Sequence, residues 1–548
     1  MLTGRMMDEP LLLTHFLERA RTFFPRSEVV DRAPDGSLHR YTYADFHRRV
    51  CQLAHALGRL GVAPGDRVAT LAWNHHRHLE AYFAVPAIGA VLHTLNLRLH
   101  PDELAYIVSD AEDVVLLIDR SLLPLWRQFA ARAPSVRHVV VLPDDGPAPE
   151  GTLDYEGLLD AEPGHYDFPR LEERTAAALC YTSGTTGRPK GVLYTHRSTV
   201  LHTLVSCMAD VLAISGQEVL LPAVPMFHAN AWGLPYAAVA LGTKLVLPGP
   251  RLDAVSLCDL IARERVSFAA GVPTIWMGLL AELDAHPDHH DLSSLRRMVV
   301  GGAALTPALL EGFSRRGIEM IHAWGMTELN PLGSVARIKP RLGEAGADPD
   351  KIRTLRLSQG YAAPFVEQRH VGAAGEVLPW DGTSMGELEV RGPWVAASYF
   401  GDAGRDRFTA DGWFKTGDVV TIDAEGYLHI TDRSKDVIKS GGEWISSVAI
   451  ENALMSHPAV LEAAVFAGRH PHWDERPLAA VVFKPGKEAS KEELTAFLAP
   501  RFAKFWLPDD YVVLSQIPRT STGKFLKTRL REEYGDWLLQ GNQPSNAE

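Results

Sequence analysis

Several features of secreted, membrane-spanning and nucleic-acid-binding proteins are scarce or missing in this sequence. The 548 residues include only 4 cysteines, scattered in apolar surroundings, so we expect free buried thiols in a reducing compartment rather than a disulfide framework or a zinc site. No run of about eighteen apolar residues occurs, which predicts no integral membrane segment. Residues 1–10 lack the apolar core of a signal peptide, so we expect a cytoplasmic location. The net charge of −12 argues against nucleic acid as a partner.

Histidine is abundant, with 23 in the chain and clusters within residues 75–78 and 286–290. A metal site needs further ligands at fixed spacing, and neither cysteines nor an acidic pattern accompanies these clusters. We therefore predict that they lie in solvated loops or at helix starts.

The order of the apolar patterns predicts an α/β fold. A helix with a capping signal at Thr42 is expected to end at Gly61. Strand-like and helical stretches then alternate, which indicates parallel sheets with helices on both faces. Shorter strands with turns begin at Gly386 and indicate a β-rich part. The polar stretches 144–164 and 337–358 are interpreted as surface connections or long loops.

The segment Thr182–Gly191 reads Thr-Ser-Gly-Thr-Thr-Gly-Arg-Pro-Lys-Gly. Glycines allow the backbone to approach a ligand closely, and successive N–H groups form a concave anion site. With the hydroxyls and two cations, this composition suits a loop that grips a polyphosphate. It is not a Walker A loop, because Lys190 is followed by Gly191 instead of Ser or Thr.

Together with this decamer, four further motifs resemble those of the AMP-forming adenylating enzymes, and most closely the medium- and long-chain fatty acyl-CoA synthetases. They lie at Trp324–Glu328, Trp413–Asp418, Asp432–Trp444 and Pro518–Phe525. The resemblance covers essentially the whole chain. It implies an enzyme that joins a carboxylic acid to AMP with release of pyrophosphate and then transfers the acyl group to CoA. The expected small-molecule partners are the acid, ATP and CoA, with Mg²⁺ as the metal, and relatives suggest a homodimer.

The resemblance also implies a role for each motif. Lys524 is expected to be the catalytic cation at the α-phosphate, and Glu328 with Thr182 is expected to hold Mg²⁺. Trp324 stands where relatives more often have Tyr, so it keeps a flat face for adenine but lacks the hydroxyl. The acyl pocket is expected to include His228, Trp232, Val299 and Gly325. The other expected contacts to ATP and CoA are Ser183, Gly184, Thr185, Thr186, Lys190, Gly301, Gly302, Ala303, His322, Ala323, Trp324, Thr327, Asp418, Arg433, Lys435, Lys439, Gly441, Gly442 and Trp444.

The implied domain organisation is a large body and a hinged lid. Residues 1–431 are expected to form an N-terminal domain of two α/β subdomains and a β-rich subdomain, with the ATP and acyl sites. Residues 432–437 are the expected hinge, and residues 438–548 the small α+β lid that carries Lys524. After adenylation, the lid is expected to rotate so that Gly441 and Gly442 line the path of the CoA thiol.

The identity of the acid is less well determined than the reaction. The expected pocket is apolar, which favours a fatty acid, and Trp232 is hypothesised to gate it. Short sulfur-containing or aryl acids stay open, because relatives that use them share all of the motifs. Two further alternatives are an adenylating enzyme with an acceptor other than CoA and a non-catalytic nucleotide-binding protein. The intact Lys524, Glu328 and Asp418 argue against the last.

Overall fold

The computed structural model describes residues 1–143, 146, 148–182, 188–344, 346–401, 403–440, 443–519 and 525–539, without the side chain of Glu443. The chain divides into two compact units, the first comprising Met1–Glu367 and Arg391–Phe414, the second Gln368–Val390 and Lys415–Glu548.

The helices of the described residues are α1 (Thr14–Phe23), α2 (Tyr43–Arg59), α3 (His76–Ala87), α4 (Pro101–Ala111), α5 (Leu123–Arg127), α6 (Tyr155–Asp160), α7 (His196–Ser206), α8 (Leu234–Leu241), α9 (Ala254–Glu264), α10 (Pro273–Ala285), α11 (Pro307–Ser314), α12 (Pro349–Leu357), α13 (Ser447–Met455), α14 (Lys491–Leu498) and α15 (Lys527–Tyr534). The helix predicted from Thr42 is α2, and its N-cap is a capping box, in which Thr42 and Asp45 each bond the other's backbone N–H.

The strands are β1 (Glu28–Arg32), β2 (Leu38–Thr42), β3 (Arg67–Leu71), β4 (Val91–Thr94), β5 (Asp113–Asp119), β6 (His138–Leu142), β7 (Leu153–Asp154), β8 (Ala176–Tyr181), β9 (Gly191–Thr195), β10 (Val219–Pro222), β11 (Lys244–Leu247), β12 (Phe268–Gly271), β13 (Arg297–Val300), β14 (Glu319–Gly325), β15 (Leu332–Val335), β16 (Tyr361–Ala362), β17 (Glu367–Val371), β18 (Gly386–Arg391), β19 (Phe414–Ile422), β20 (Leu428–Arg433), β21 (Ile438–Ser440), β22 (Glu443–Ile445), β23 (Val460–His470), β24 (Asp474–Phe483) and β25 (Asp510–Val513).

Two large sheets organise the first unit. One has the strand order β7-β6-β5-β3-β4-β8-β9 and is parallel except for the β8–β9 pair. The other has the order β16-β15-β14-β13-β12-β10-β11-β1-β2 and is parallel between β14 and β1. The predicted alternation of strands and helices is therefore confirmed, and the carboxyl ends of neighbouring parallel strands place loop residues along one sheet edge.

The second unit contains two smaller sheets. Strands β17-β18-β19-β20 form one, with β19 and β20 antiparallel. Strands β22-β21-β24-β23 form the other, with β25 added parallel to β24. A buried apolar cluster joins β23 and β24 to α13 and α14. The whole chain is thus mixed α/β, with several sheets in its large N-terminal part and a smaller C-terminal domain. The predicted hinge, 432–437, lies within the second unit, and its boundaries stay a prediction.

Two stretches that were interpreted as loops contain regular structure. Residues 144–164 include β7 and α6, and Tyr155 of α6 is fully buried. Its hydroxyl donates to Glu80 at 2.6 Å. Residues 337–358 include α12, which starts at Pro349 behind an Asp348 N-cap. Both interpretations were wrong. They rested on the many prolines and charged residues of these stretches, and such residues are common in loops and also at the starts of helices.

The first histidine cluster is a helix start, as predicted, but it is not solvated. His75 is the N-cap of α3, accepting from the His78 N–H. His76 and His78 are both buried. The ring of His76 contacts Asp31 of β1 at 2.7 Å, a partner that local spacing could not reveal. All four cysteines are free, and three of them are buried. Among the described residues, no helix is long and apolar enough to span a bilayer.

Candidate active site

The two ends of the predicted phosphate loop are joined by hydrogen bonds across a hairpin. Strands β8 and β9 pair antiparallel, so Thr182 and Lys190 face each other just beyond them. The Thr182 N–H donates to the Lys190 carbonyl at 2.9 Å, and the Lys190 N–H donates to the Thr182 hydroxyl at 3.2 Å. Outside the described residues lie four further predicted contacts of this loop, Ser183, Gly184, Thr185 and Thr186.

Glu328 and Lys190 are connected through Tyr399, a residue outside every predicted motif. Glu328 lies in a single 3₁₀ turn (Thr327–Leu329) directly after β14 and is only 6% exposed. The Tyr399 hydroxyl donates to Glu328 Oε1 at 2.6 Å. The Lys190 ammonium lies 5.1 Å from the centre of the Tyr399 ring. One tyrosine therefore orients the carboxylate through its hydroxyl and holds the cation through its face.

A second tyrosine joins the hairpin to the same turn. The Tyr194 hydroxyl in β9 donates to the Thr327 carbonyl at 2.6 Å. The Phe400 N–H donates to the Gly191 carbonyl at 2.8 Å. Three segments that are far apart in sequence, at the phosphate loop, at the Thr-Glu motif and near residue 400, are thereby brought together.

Both tyrosines remain hydrogen-bond donors at physiological pH. Burial raises the pKa of the Tyr194 phenol well above its ordinary value. Burial also raises the pKa of Tyr399, and the adjacent Glu328 charge raises it further. Neither residue could be predicted as part of the site from the sequence, because a lone tyrosine beside apolar residues is typical of an ordinary buried core. The one available signal for Tyr194 is its position four residues after Lys190.

After β13, close contacts and backbone conformation disfavour any residue larger than glycine at positions 301 and 302. A Cβ on Gly301 would lie 3.1 Å from Cη2 of Trp232 and 3.2 Å from the Ala323 carbonyl. Gly302 has φ +78°, a left-handed conformation that side chains disfavour. Val299, within β13, is buried at the same end of the sheet. The structure thus brings together three predicted site residues, Trp232, Gly301 and Ala323.

Trp232 lies in a rare left-handed turn, which continues into Gly233 with φ 76°. Ala229, Asn230, Ala231 and Trp232 have φ values of 41°, 51°, 49° and 57°, and each left-handed non-glycine residue costs about 1–2 kcal/mol. Buried Asn230 holds the turn, since its side chain accepts from the Cys180 thiol at 2.9 Å and donates to the Tyr236 hydroxyl at 3.2 Å. Strain of this kind persists only where the surroundings over-determine it, and it concentrates at functional sites. The backbone carbonyl of His228, directly before the turn, accepts a hydrogen bond from the Ala231 N–H at 3.0 Å.

The end of β14 is tightly packed. His322 is 2% exposed, and burial lowers the pKa of its ring, so the imidazole is neutral and donates to the Leu357 carbonyl at 3.0 Å. Trp324 is 7% exposed, and its ring lies against Gly333. A Cβ on Gly325 would lie 2.1 Å from the Pro331 carbonyl oxygen, so no side chain fits there.

In the second unit, Asp418 and Arg433 form an ion pair on neighbouring strands. They are directly opposite each other in the β19–β20 ladder, and Arg433 Nε lies 2.8 Å from Asp418 Oδ1. Asp418 is fully buried, whereas the Arg433 side chain is 43% exposed. The Asp418 N–H donates to the Thr416 hydroxyl at 3.1 Å. The carboxylate is therefore fixed on a rigid strand beside a partly solvated cation.

Two other predicted residues of this unit, Lys435 and Lys439, come shortly after Arg433 in the sequence. Burial lowers the pKa of the Lys435 ammonium. Lys439 is exposed on β21 and is paired across the strand with Trp444 of β22. Outside the described residues lie Gly441, Gly442 and Lys524.

Comparison with known proteins gives matches along nearly the whole chain. The family profile described as AMP-binding enzyme matches residues 16–400, and the profile described as AMP-binding enzyme C-terminal domain matches residues 449–524. A long-chain-fatty-acid–CoA ligase of Thermus thermophilus is 51% identical over 97% of both chains. A medium-chain-fatty-acid–CoA ligase of Ectopseudomonas oleovorans is 44% identical over 98% of this chain and 99% of its own length. A 3-methylmercaptopropionyl-CoA ligase of Ruegeria lacuscaerulensis is also 44% identical over the same shares.

Among solved structures, the crystal structure of an anthranilate CoA ligase in complex with anthranoyl-AMP matches with a TM-score of 0.82. It is 25% identical and covers 97% of this chain and 99% of its own.

Proposed function

Since the chain belongs to the AMP-binding enzyme family and is an AMP-forming acyl-CoA synthetase, we propose that the acid it activates is a medium- or long-chain fatty acid. Enzymes of this kind adenylate a carboxylic acid with ATP and then form the thioester with CoA. The observation that carries the choice of acid is the 51% identity to a long-chain ligase. A short sulfur-containing acid is the second candidate, because a 3-methylmercaptopropionyl-CoA ligase is 44% identical.

The chemistry of the first half-reaction explains why the first unit places the Lys190 cation and fixed hydrogen-bond donors close to Glu328. A carboxylate attacks the α-phosphorus of ATP, so two anions must meet while negative charge builds on the phosphate. Such a step depends on positioning and electrostatic stabilisation more than on proton transfer. We assign polyphosphate binding to the loop whose ends are Thr182 and Lys190. Tyr399 supports this assignment, because it holds the Lys190 ammonium in place without neutralising its charge.

The donor set at Glu328 fits a magnesium ion. Mg²⁺ prefers oxygen ligands and keeps several waters, so one carboxylate and one hydroxyl suffice on the protein side. Glu328 is a buried carboxylate oriented by the Tyr399 hydroxyl, and Thr182 offers a hydroxyl oxygen. We propose that these two residues hold Mg²⁺, which would supply positive charge to the phosphates. The residues of the chain then orient the nucleotide and exclude water.

The second unit supplies the remaining proposed contacts. Asp418 is assigned to the ribose hydroxyls, because a fixed carboxylate can accept from both. Arg433 Nε lies 2.8 Å from Asp418 Oδ1 and orients this carboxylate. Lys524 is assigned to the α-phosphate in adenylation, and Gly441 and Gly442 to the path of the CoA thiol. We also propose a homodimer, a cytoplasmic location and a hinge at residues 432–437.

A thioester screen tests the choice of acid. The purified enzyme is given ATP, Mg²⁺ and CoA with straight-chain acids from propionate to palmitate, with 3-methylmercaptopropionate and with aryl acids. We expect kcat/KM to be highest between octanoate and palmitate, with AMP and free pyrophosphate as co-products. A maximum at propionate, 3-methylmercaptopropionate or an aryl acid would replace the fatty acid with that substrate class.

A further inference from the structure

Lys527, the first residue of α15, is a buried cation with two partners. It is 8% exposed. Its ammonium lies 2.6 Å from Glu451 Oε1 of α13 and donates to the Ser447 hydroxyl at 2.6 Å. Lysine is almost never buried without a partner, because desolvating the ammonium is costly. The position of Lys527 is therefore not that of an ordinary surface lysine on α15.

The contacts of Lys527 continue through Ser447 to Asp432. The N–H and the hydroxyl of Ser447 both donate to Asp432 Oδ2, each at 2.5 Å. Asp432 is 1% exposed. The ammonium of α15, the hydroxyl at the start of α13 and the carboxylate at the end of β20 thus form one continuous buried chain of donors and acceptors.

This cluster joins two segments to which the proposed function assigns movement and chemistry. Asp432 is the first residue of the predicted hinge. Lys527 lies three residues after Lys524 in the sequence. The described residues on either side of 520–524 are paired with each other, since the Leu526 N–H donates to the Pro518 carbonyl at 2.7 Å. The base of the segment that carries Lys524 is therefore tied to the start of the predicted hinge within a single unit.

The cluster holds more acid than base. Two buried carboxylates, Asp432 and Glu451, face one ammonium. Burial, together with the Asp432 charge, raises the pKa of Glu451 to about 7, although Lys527 opposes the rise. Burial likewise raises the pKa of Asp432. Glu451 also accepts from the Val465 N–H of β23 at 2.7 Å.

Two further charges belong to the neighbouring segment. Lys435 lies close enough that Lys527 contributes to lowering its pKa. Arg531 of α15 is paired with Asp436 at 2.7 Å, so it compensates a different carboxylate. The surplus negative charge of the cluster therefore appears only when Glu451 loses its proton, near neutral pH.

We propose that Lys527 is a positioning residue for the adenylation half-reaction, because it links Pro518 and Leu526, which flank the segment of Lys524, to Asp432. The proposal rests on the role assigned to Lys524. It gives the buried cluster a function beyond stability, because its contacts join α15, α13 and the start of the predicted hinge.

The test compares the two half-reactions in Lys527→Met, Lys527→Arg and Glu451→Gln. Arg529→Gln is the matched control, because it removes an exposed ion pair with Glu533 on the same helix. Adenylation is followed by acid-dependent ATP–pyrophosphate exchange, and the second step by thioester formation from supplied acyl-AMP and CoA. Misplacing a catalytic group by about 1 Å can cost about 100-fold, so we expect Lys527→Met to lose at least about tenfold in exchange and much less in thioester formation. Lys527→Arg should recover part of the loss.

Glu451→Gln keeps the assay informative if Lys527→Met does not fold. The amide removes the surplus carboxylate and leaves one ammonium facing one carboxylate, so we expect a folded enzyme. Its exchange rate should lack an inflection near pH 7 that the wild type shows. Equal losses in both half-reactions for Lys527→Met, or identical pH profiles for wild type and Glu451→Gln, would overturn the proposal.

The variant Lys524→Ala distinguishes a failure of the positioning role of Lys527 from a failure of the catalytic role assigned to Lys524. If Lys524→Ala exchanges pyrophosphate normally, the role assigned to Lys524 fails and the positioning role falls with it. If Lys524→Ala is inactive in exchange while every Lys527 variant behaves like Arg529→Gln, only the positioning role is wrong.

Discussion

The indole ring of Trp232 lies against the α-carbon of Gly301. A Cβ at that position would approach Cη2 of Trp232 to 3.1 Å and the Ala323 carbonyl to 3.2 Å, and Trp232 itself lies in the left-handed turn that begins at Ala229. A residue of the predicted acyl pocket and a residue of the predicted nucleotide site are thus in direct contact. If both proposed roles hold, a shift of the indole changes the space available to the backbone at Gly301.

Gly301→Ala should therefore impair adenylation through Trp232. The added methyl group is closer to its neighbours than ordinary van der Waals contact allows, so the indole or the β13 end must shift by a few tenths of an ångström. We expect a lower kcat/KM for the acid, measured by pyrophosphate exchange, and a smaller loss when the same change is made in a Trp232→Ala background. Gly278→Ala, in α10 with open space around the position, is the control. Additive effects of Gly301→Ala and Trp232→Ala would contradict the contact as the cause.

Trp232→Ala alone should loosen the preference for acyl chain length. A buried methylene contributes about 0.8 kcal/mol, so an enlarged pocket flattens or shifts the dependence of kcat/KM on chain length. The measurement is the ratio of kcat/KM values across the acid series, with Trp473→Ala, an exposed tryptophan of the second unit, as control. Unchanged ratios would defeat the hypothesis that Trp232 gates the pocket.

Tyr399→Phe should raise the Mg²⁺ concentration needed for adenylation. The variant removes the donor at 2.6 Å from Glu328 while the ring stays beside Lys190. Losing one hydrogen bond to a buried carboxylate costs about 1–3 kcal/mol, which corresponds to roughly five- to 150-fold in the half-saturating Mg²⁺ concentration. Tyr43→Phe, which removes a buried tyrosine-to-carbonyl bond from α2 at 2.7 Å, is the control. An unchanged Mg²⁺ dependence would mean that Tyr399 does not orient the ligand.

The buried His202 should make the first unit less stable in acid. Burial lowers the pKa of this ring from 6.5 to about 3, so below pH 6.5 the unfolded chain binds a proton that the folded chain does not. The contribution of this neutral ring to the free energy of unfolding is complete above pH 6.5 and is lost as the pH falls towards 3. The loss amounts to about 2 kcal/mol between pH 7 and 5. His202→Gln keeps an acceptor for the Leu332 N–H, which His202 binds at 3.3 Å. Its free energy of unfolding in urea should fall less over that interval than the wild-type value.

His165→Gln, at an exposed position, is the control for that titration, and its unfolding should follow the wild-type pH dependence. Parallel pH dependences for His202→Gln and the wild type would show that His202 does not stay neutral in the folded chain.

Capping residues and apolar periodicity predicted many helices and strands. Contacts between residues far apart in the sequence could not be predicted. The helix α2 followed from the capping residues Thr42 and Asp45, and the parallel sheets from the alternation of strand-like and helical stretches. The sequence did not indicate that Tyr399 bonds Glu328, because 71 residues separate them and neither belongs to a pattern that links them. The left-handed turn at Ala229 was equally hidden, since its residues are not glycines and their conformation depends on buried partners such as Asn230. The Lys527 cluster assembles from three elements for the same reason.

The most direct test of the whole account is the behaviour of Lys524→Ala in the two half-reactions. The account predicts that acid-dependent ATP–pyrophosphate exchange with a fatty acid is abolished, while thioester formation from supplied acyl-AMP and CoA persists near the wild-type rate. Equal loss of both steps, or wild-type production of ADP in place of AMP, would contradict it.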